Sequence, residues 1–315
     1  MRPLPLSLGL AMLAMSSGHV LAQTQYPLTL DNCGFTVTLP AAPQRVVTIK
    51  STATEMLLAL GLGNLIVGVG FQDGPAPEPW VAEAAALPIL SDKLPSQEVV
   101  LEVEPDFVYG GWESNFSADG AGERPTLATL DVAGYVAPAA CRSIKPAKLS
   151  FDEIFAEIGE IGTIFDAAPA AEALVAEQKA ALAAIAPDTR GLTALWYSSG
   201  TKTPYVGAGS GAPQMMLEAL GLENIMAGVD DGWVSASWEA IVDANPDVIV
   251  LVDAVWNSAE QKKKLLAENP ITSQLDAVIH QRYLTVPFPA SEPGVRNVSA
   301  TADMAAQLAG LSFTP

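Results

Sequence analysis

ALGLGNLIVGV occupies Ala59 to Val69 and ALGLENIMAGV occupies Ala219 to Val229, so one chain of 315 residues carries nearly the same phrase twice, 160 residues apart. Self-similarity at such a spacing means either an array of small repeats or two copies of a larger unit. No third copy occurs, which leaves two units built on one plan. A second match supports the pairing: EVVLEVEPDFV (Glu98 to Val108) parallels EAIVDANPDVI (Glu239 to Ile249). In each, a Glu stands seven residues ahead of a Pro-Asp and an apolar run follows. Both units are therefore expected to carry the same helix–turn–strand elements.

The bulk composition agrees with two lobes. The length suits two domains of ordinary size. Half of the residues are hydrophobic and 16% are charged, which favours a large core over disorder. The net charge of −19, from 16 Lys+Arg against 35 Asp+Glu, argues against nucleic acid or anionic lipid as a partner. The start, MRPLPLSLGLAMLAMSSGHVLA, pairs Arg2 with a short apolar run that closes on Val20-Leu21-Ala22. Residues 1–22 are read as a signal peptide, the alternative being a buried N-terminal helix. No Cys stands at the cleavage point, which argues against a lipoprotein, and no later stretch approaches the ~18 apolar residues of a membrane span. Export makes Cys33 and Cys141 candidates for a disulfide worth about 4 kcal/mol in the chain-entropy account; two separate buried thiols are the alternative.

Along the chain, alternation from Tyr26 to Leu39 predicts a hairpin. RVVTI (Arg45 to Ile49) reads as a strand buried on both faces. STATEMLLALGL follows as a helix capped by Ser51, Thr52 or Thr54 and ended by Gly61 or Gly63. LIVGVG (from Leu65), PDFVYGG (from Pro105) and VAGYVAP (from Val132) are further strands. From Phe151 to Ile185 the spacing is helical throughout, and it predicts one long helix opened by Pro169 with a shorter one before it. Alternation then resumes with LTALWY, TPYVGAG, the helix APQMMLEALGL, DVIVLVD and RYLTVPF. The expected class is α/β, with two Rossmann-like lobes at residues 23–165 and 188–315 joined by one long rigid helix over 166–187.

Catalysis finds little footing in these residues. GAGSGA (Gly207 to Ala212) fits a dinucleotide fingerprint, yet no acidic residue closes a strand at the required distance, and a tight glycine turn explains it as well. The mature chain has one histidine, His280, so a His-rich metal site is excluded on supply, and nothing supports a Ser-His-Asp mechanism. No cofactor or metal is expected, and the competing class is an exported nucleotide-using enzyme. Trp112, Tyr197, Trp233 and Trp256 follow predicted strands or sit in loops, where open α/β sheets bind ligands. Cations are scarce: Lys50, Arg142, Lys145, Lys148, Lys202 and Arg296 lie at strand ends or in loops, serving either solubility or an anionic ligand. The expected grip is a flat anionic molecule between Trp112, Tyr197 and Trp233, its charges met by Lys50, Lys145 and Arg296.

RVVTIKSTATEMLLALGLGNLIVGV, PSQEVVLEVEPDFVYGG, the single long helix, ALGLENI and SWEAIVDANPDVIVLVD together resemble the class III periplasmic substrate-binding proteins of ABC importers, which serve ferric siderophores, haem and cobalamin. That resemblance implies a periplasmic, non-catalytic receptor, expected to be a monomer, that holds a small-molecule ligand between its lobes. It also implies permease and ATPase subunits as partners, with Glu98 and Glu239 docking on the permease. Trp233, six residues before Glu239, matches a cleft-lining Trp of cobalamin-binding relatives, whereas the corresponding first-lobe position holds Asp92. YPLTLDNCGFTVTL and DGPAPEPW are similar to a subgroup assigned to a deazaflavin-coenzyme precursor. This implies an anionic aromatic ligand, with a ferric siderophore, haem or cobalamin as the alternative.

Overall fold

A computed structural model describes residues 23–145 and 147–313; the signal-peptide reading of residues 1–22 lies outside them. The chain opens with an antiparallel hairpin, β1 (Leu28–Asn32) and β2 (Phe35–Leu39). Its turn residues Cys33 and Gly34 both have positive φ, 56° and 74°, as a two-residue turn between right-twisted strands requires. The first sheet is parallel, with β3 (Val46–Ile49), β4 (Ile66–Gly70), β5 (Ile89–Ser91), β6 (Phe107–Gly110) and β7 (Ala133–Val136) in the order β5-β4-β3-β6-β7. Every residue of β3 and β6 is buried, because helices cover both faces. Those of the first lobe are α1 (Ser51–Ala59), α2 (Val81–Ala85), α3 (Gln97–Glu102) and α4 (Arg124–Ala128).

Two helices follow, α5 (Phe151–Ile164) and α6 (Ala168–Ala183). The shorter helix precedes the longer, as the spacing predicts: they span 14 and 16 residues, with Pro169 in the first turn of α6. Left-handed Asp166, φ 53°, breaks the helical run and lets α6 pack on α5, with Gly162 so close to Ala171 that a methyl there would not fit. α5 buries Ile154, Ile158 and Ile161 in a core that runs on through residues of both lobes.

The second sheet contains β8 (Thr193–Ser199), β9 (Tyr205–Gly207), β10 (Glu223–Asn224), β11 (Trp233–Ser235), β12 (Val248–Asp253) and β13 (Tyr283–Pro287). Its order is β11-β9-β8-β12-β13, with β10 also on β8. The pairs β8–β12 and β12–β13 are parallel, and β9 is antiparallel to both β8 and β11. The accompanying helices are α7 (Ala212–Ala219), α8 (Trp238–Ala244), α9 (Ala259–Glu268), α10 (Asp276–Ile279), α11 (Phe288–Ser291) and α12 (Asn297–Ala309).

The internal repeat has a physical basis. α1 and α7 both end on a left-handed glycine, Gly61 at φ 71° and Gly221 at φ 72°. In each, the next Leu amide reaches back into the helix: Leu62 N–H to Leu57 O at 2.8 Å, and Leu222 N–H to Leu217 O at 2.9 Å. α3 and α8 are capped by Ser96 and Ser237, whose hydroxyls accept the amides of Val99 and Ala240. Both end on left-handed residues, Glu104 and Asn245, ahead of the Pro-Asp. Asp106 then accepts the amides of Gln44 and Arg45 at 2.8 and 3.0 Å, and Asp247 accepts that of Thr193 at 2.8 Å. Each aspartate thus ties the entrance of its lobe's central strand to the next one.

Two details differ from expectation. α1 starts at Ser51 with Lys50 in the capping position and no side-chain cap. In the second copy the strand after the glycine turn is only β10, and Ile225 to Gly228 run as turns.

Candidate functional site

The carboxyl ends of β6, β7, β8, β12 and β13 open onto a cleft of about 860 Å³ between the two sheets. That is where a parallel sheet exposes the loops it can vary without losing its core. The first lobe contributes Trp112, Glu113 and Ser114 after β6, and the stretch from Ala139 to Lys145 after β7. The second contributes Ser198, Ser199, Tyr205, the turn Ser210 to Ala212, Asp230 to Trp233, Ala254, Trp256, Phe288, Glu292 and Pro293.

Aromatic pairs form much of the wall. Tyr205 and Trp233 stack at 5.8 Å with planes 15° apart, brought side by side by the β9–β11 register. Trp256 meets Phe288 edge-on at 4.8 Å. Across from them Trp112 packs edge-on to Phe71 at 6.0 Å, and its indole N–H donates to Glu292 at 3.1 Å, joining the lobes across the cleft floor.

Of the ligand residues expected from sequence, the cleft brings together Trp112, Lys145 and Trp233. Lys50, Tyr197 and Arg296 are not among its lining residues, and that part of the expected grip is corrected. Tyr197 is buried inside the second lobe, donating its hydroxyl to Gly200 O at 2.8 Å and packing edge-on to Trp238. Lys50 is 2% exposed and paired with Asp73, with its ammonium 3.6 Å from the Trp112 ring centre and 4.2 Å from that of Phe71. Arg296 is paired with Glu55 and donates to Pro75 O at 3.0 Å, a buried ion pair that ties the second lobe to the first. Burial raises the Glu55 and Asp73 carboxyls above their ordinary values, against the pull of Arg296 and Lys50 respectively. These two cations therefore neutralise buried acids beneath the cleft. A cation at a strand end reads the same in sequence whether it faces a ligand or a carboxylate.

Sequence reasoning left Arg142 and Trp256 outside the expected grip and did not single out Tyr205 or Phe288, yet all four line the cleft. Position just beyond a buried strand was the available signal for Arg142, Trp256 and Phe288. The Arg142 guanidinium has no ion-pair partner among the described residues, whereas Lys145 pairs across the cleft with Asp230. Burial raises the Glu292 carboxyl, and the Trp112 hydrogen bond opposes that shift.

The GAGSGA turn leads into α7 with its glycines packed tightly: a Cβ on Gly209 would fall 2.2 Å from Ala227 O. Close approach of protein to protein thus accounts for these glycines. Cys33 and Cys141 are bonded. Glu98 and Glu239 are exposed, each in the first turn of its Ser-capped helix. His280 is exposed. No helix among the described residues is long and apolar enough to cross a membrane.

Comparison with known proteins places this architecture. The family model described as periplasmic binding protein matches residues 46–290. An ABC transporter substrate-binding lipoprotein of Bacillus subtilis is 27% identical over 291 residues, covering 89% of this chain and 85% of that protein. A cobalamin-binding protein of Halobacterium salinarum is 30% identical over 241 residues, covering 71% of this chain and 58% of that protein. The crystal structure of a periplasmic binding protein from Veillonella parvula superposes with a TM-score of 0.80 at 28% identity, covering 91% of this chain and 98% of that one. With the cleft, the paired lobes and a family match over most of the chain, the protein belongs to the periplasmic binding protein family.

Proposed function

We propose that this chain is the exported, non-catalytic receptor of an ABC importer, and that it carries a flat, conjugated, anionic molecule between its lobes. The observation that supports this reading most is the cleft wall, where the Tyr205–Trp233 stack and Trp112 offer ring faces and edges beside the unpaired Arg142. Aromatic walls supply stacking area, and an unpaired guanidinium suits a carboxylate or phosphate. The start of α7, where Ser210 and Gly211 line the cleft, adds the positive end of a helix dipole.

A deazaflavin precursor or a quinone cofactor has this chemistry. The second reading is a corrin, favoured by Trp233 in the cleft wall and by the cobalamin-binding relative. Glu98 and Glu239 would dock the two lobes on basic pockets of the permease, since both are exposed at matching positions of matching helices.

A thermal-shift assay of the purified protein against deazaflavins, quinone cofactors, cobalamin, haem and ferric chelates tests the ligand. Stabilisation by a conjugated anion is expected. A response to ferric chelates alone would remove the conjugated-anion reading and leave the receptor reading. A neutral sugar or amino acid as best ligand would end both.

A further inference from the structure

One wall of the cleft is a loop, Cys141 to Lys145, that belongs to no helix or strand and carries both Arg142 and Lys145. Without a backbone ladder, such a segment would sample many conformations, and the order of its cations needs another source. Three attachments supply it. Cys141 is bonded to Cys33 at the tip of the β1–β2 hairpin. The Glu113 carboxylate accepts the backbone amides of both Arg142 and Ser143, the latter at 2.8 Å. The Ser143 hydroxyl donates to Cys33 O at 2.8 Å.

The anchors are themselves anchored. Arg124 lies 3.8 Å from Glu113 and donates to Asn32 O at 2.7 Å and to its side-chain oxygen at 3.0 Å. Asn32 in turn exchanges two hydrogen bonds of 2.8 Å with the backbone of Val136, at the end of β7. The loop is thus closed into a ring with the hairpin tip and the sheet edge. Burial would raise the Glu113 carboxyl, but the bonds from Ser143 and Arg142 and the nearby Arg124 outweigh it, so it stays below its ordinary value and remains an acceptor.

We propose that Glu113 and the Cys33–Cys141 crosslink are positioning residues for ligand binding, holding the 141–145 loop so that Arg142 faces the cleft and reads the ligand's negative charge. The inference rests on the reading of the cleft as an anion-binding site. It adds that charge selectivity is set by groups that do not meet the ligand's charge themselves. The crosslink is consequently a determinant of affinity as well as of stability.

The test compares riboflavin 5′-phosphate with riboflavin, the same ring system without the phosphate, by titration calorimetry. The wild-type chain should bind the phosphate form about tenfold more tightly, the scale of one charge-assisted contact. Glu113→Ala and the double variant Cys33→Ser/Cys141→Ser should lose that preference, affinity for riboflavin 5′-phosphate falling further than affinity for riboflavin. Glu113→Gln keeps an acceptor oxygen and should retain the preference in part. In the ligand-free protein, amide exchange at 142 and 143 should be slow in the wild type and at least ~10-fold faster in Glu113→Ala. A preference that survives in both folded variants overturns the proposal. If the wild type shows no preference, the anion reading fails on its own account, and amides that stay protected in Glu113→Ala overturn the positioning role independently.

Discussion

The two lobes begin as copies and diverge where they face each other. In the first, the strand after the glycine turn runs five residues beside β3. In the second, β10 pairs with only Thr193 and Ala194 of β8, and the rest of that edge is taken by antiparallel β9, which carries β11. The substitution brings Tyr205 and Trp233 to the cleft as a stacked pair. The loops that complete the site are secured by different means. In the first lobe a disulfide and Glu113 hold residues 141–145. In the second, the buried Lys262 donates to Val252 O and Asn257 O at 2.5 and 2.6 Å and closes the turn carrying Trp256. The two lobes share the helix caps, glycine ends and aspartate clamps that build each sheet, and their strand ends differ because no ladder depends on them.

The strongest challenge to this comparison is functional. If the lobes dock as equals, Glu98→Ala and Glu239→Ala should each weaken uptake to a similar degree, and together they should abolish it with ligand affinity intact. Transport assays in reconstituted vesicles, run beside calorimetry, check this, and loss of binding in a folded double variant would sink the docking assignment.

The glycine ends should then prove unequal. A Cβ on Gly61 meets nothing within 4 Å, whereas on Gly221 it would fall 2.3 Å from Asp188 O. Gly61→Ala should cost about 1–2 kcal/mol, the strain of a left-handed alanine. Gly221→Ala should cost at least twice that in urea melts. Equal costs would mean that the second turn relaxes freely.

The aspartate clamps should prove similar. Asp106→Ala removes the acceptor of the exposed Gln44 and Arg45 amides, and Asp247→Ala that of the part-buried Thr193 amide and hydroxyl, at a cost of about 0.5–1.5 kcal/mol per bond. A loss confined to one lobe would show that the other repeat is only a likeness of sequence.

A further effect belongs to the first lobe alone. Glu157 on α5 is buried and accepts the Tyr109 hydroxyl at 2.5 Å; burial pushes its carboxyl up to about 7. The folded state thus holds its proton more tightly than the unfolded chain does. That contribution is complete below about pH 4.5 and is lost as pH rises toward 7, by up to about 1.4 kcal/mol per pH unit. Glu157→Gln should flatten this part of the stability profile, and an unchanged slope in melts between pH 4.5 and 7 would reject the assignment.

What the sequence determined by itself was whatever short-range patterns encode. The doubled ALGL phrase marked two glycine-ended helices, the Pro-Asp pair marked two strand entrances, and continuous β-branched runs marked strands buried on both faces. The expectation of export and the two cysteines pointed to a disulfide, and the fold pairs them. The site was legible only in part, for Trp112, Trp233 and Lys145, because residues beyond buried strands converge by topology. The tertiary structure alone decided the fate of the other cations. Arg296 and Glu55 lie 241 residues apart, and Lys50 and Asp73 lie 23 apart, so no local pattern announces that each pair is joined and buried. Nor could sequence separate Tyr197, turned into the core of its lobe, from Tyr205, eight residues on, in the cleft. An antiparallel ribbon in place of a parallel strand makes that choice. Strand pairing is a long-range decision, and the side chains it exposes are known only once both partners are in place.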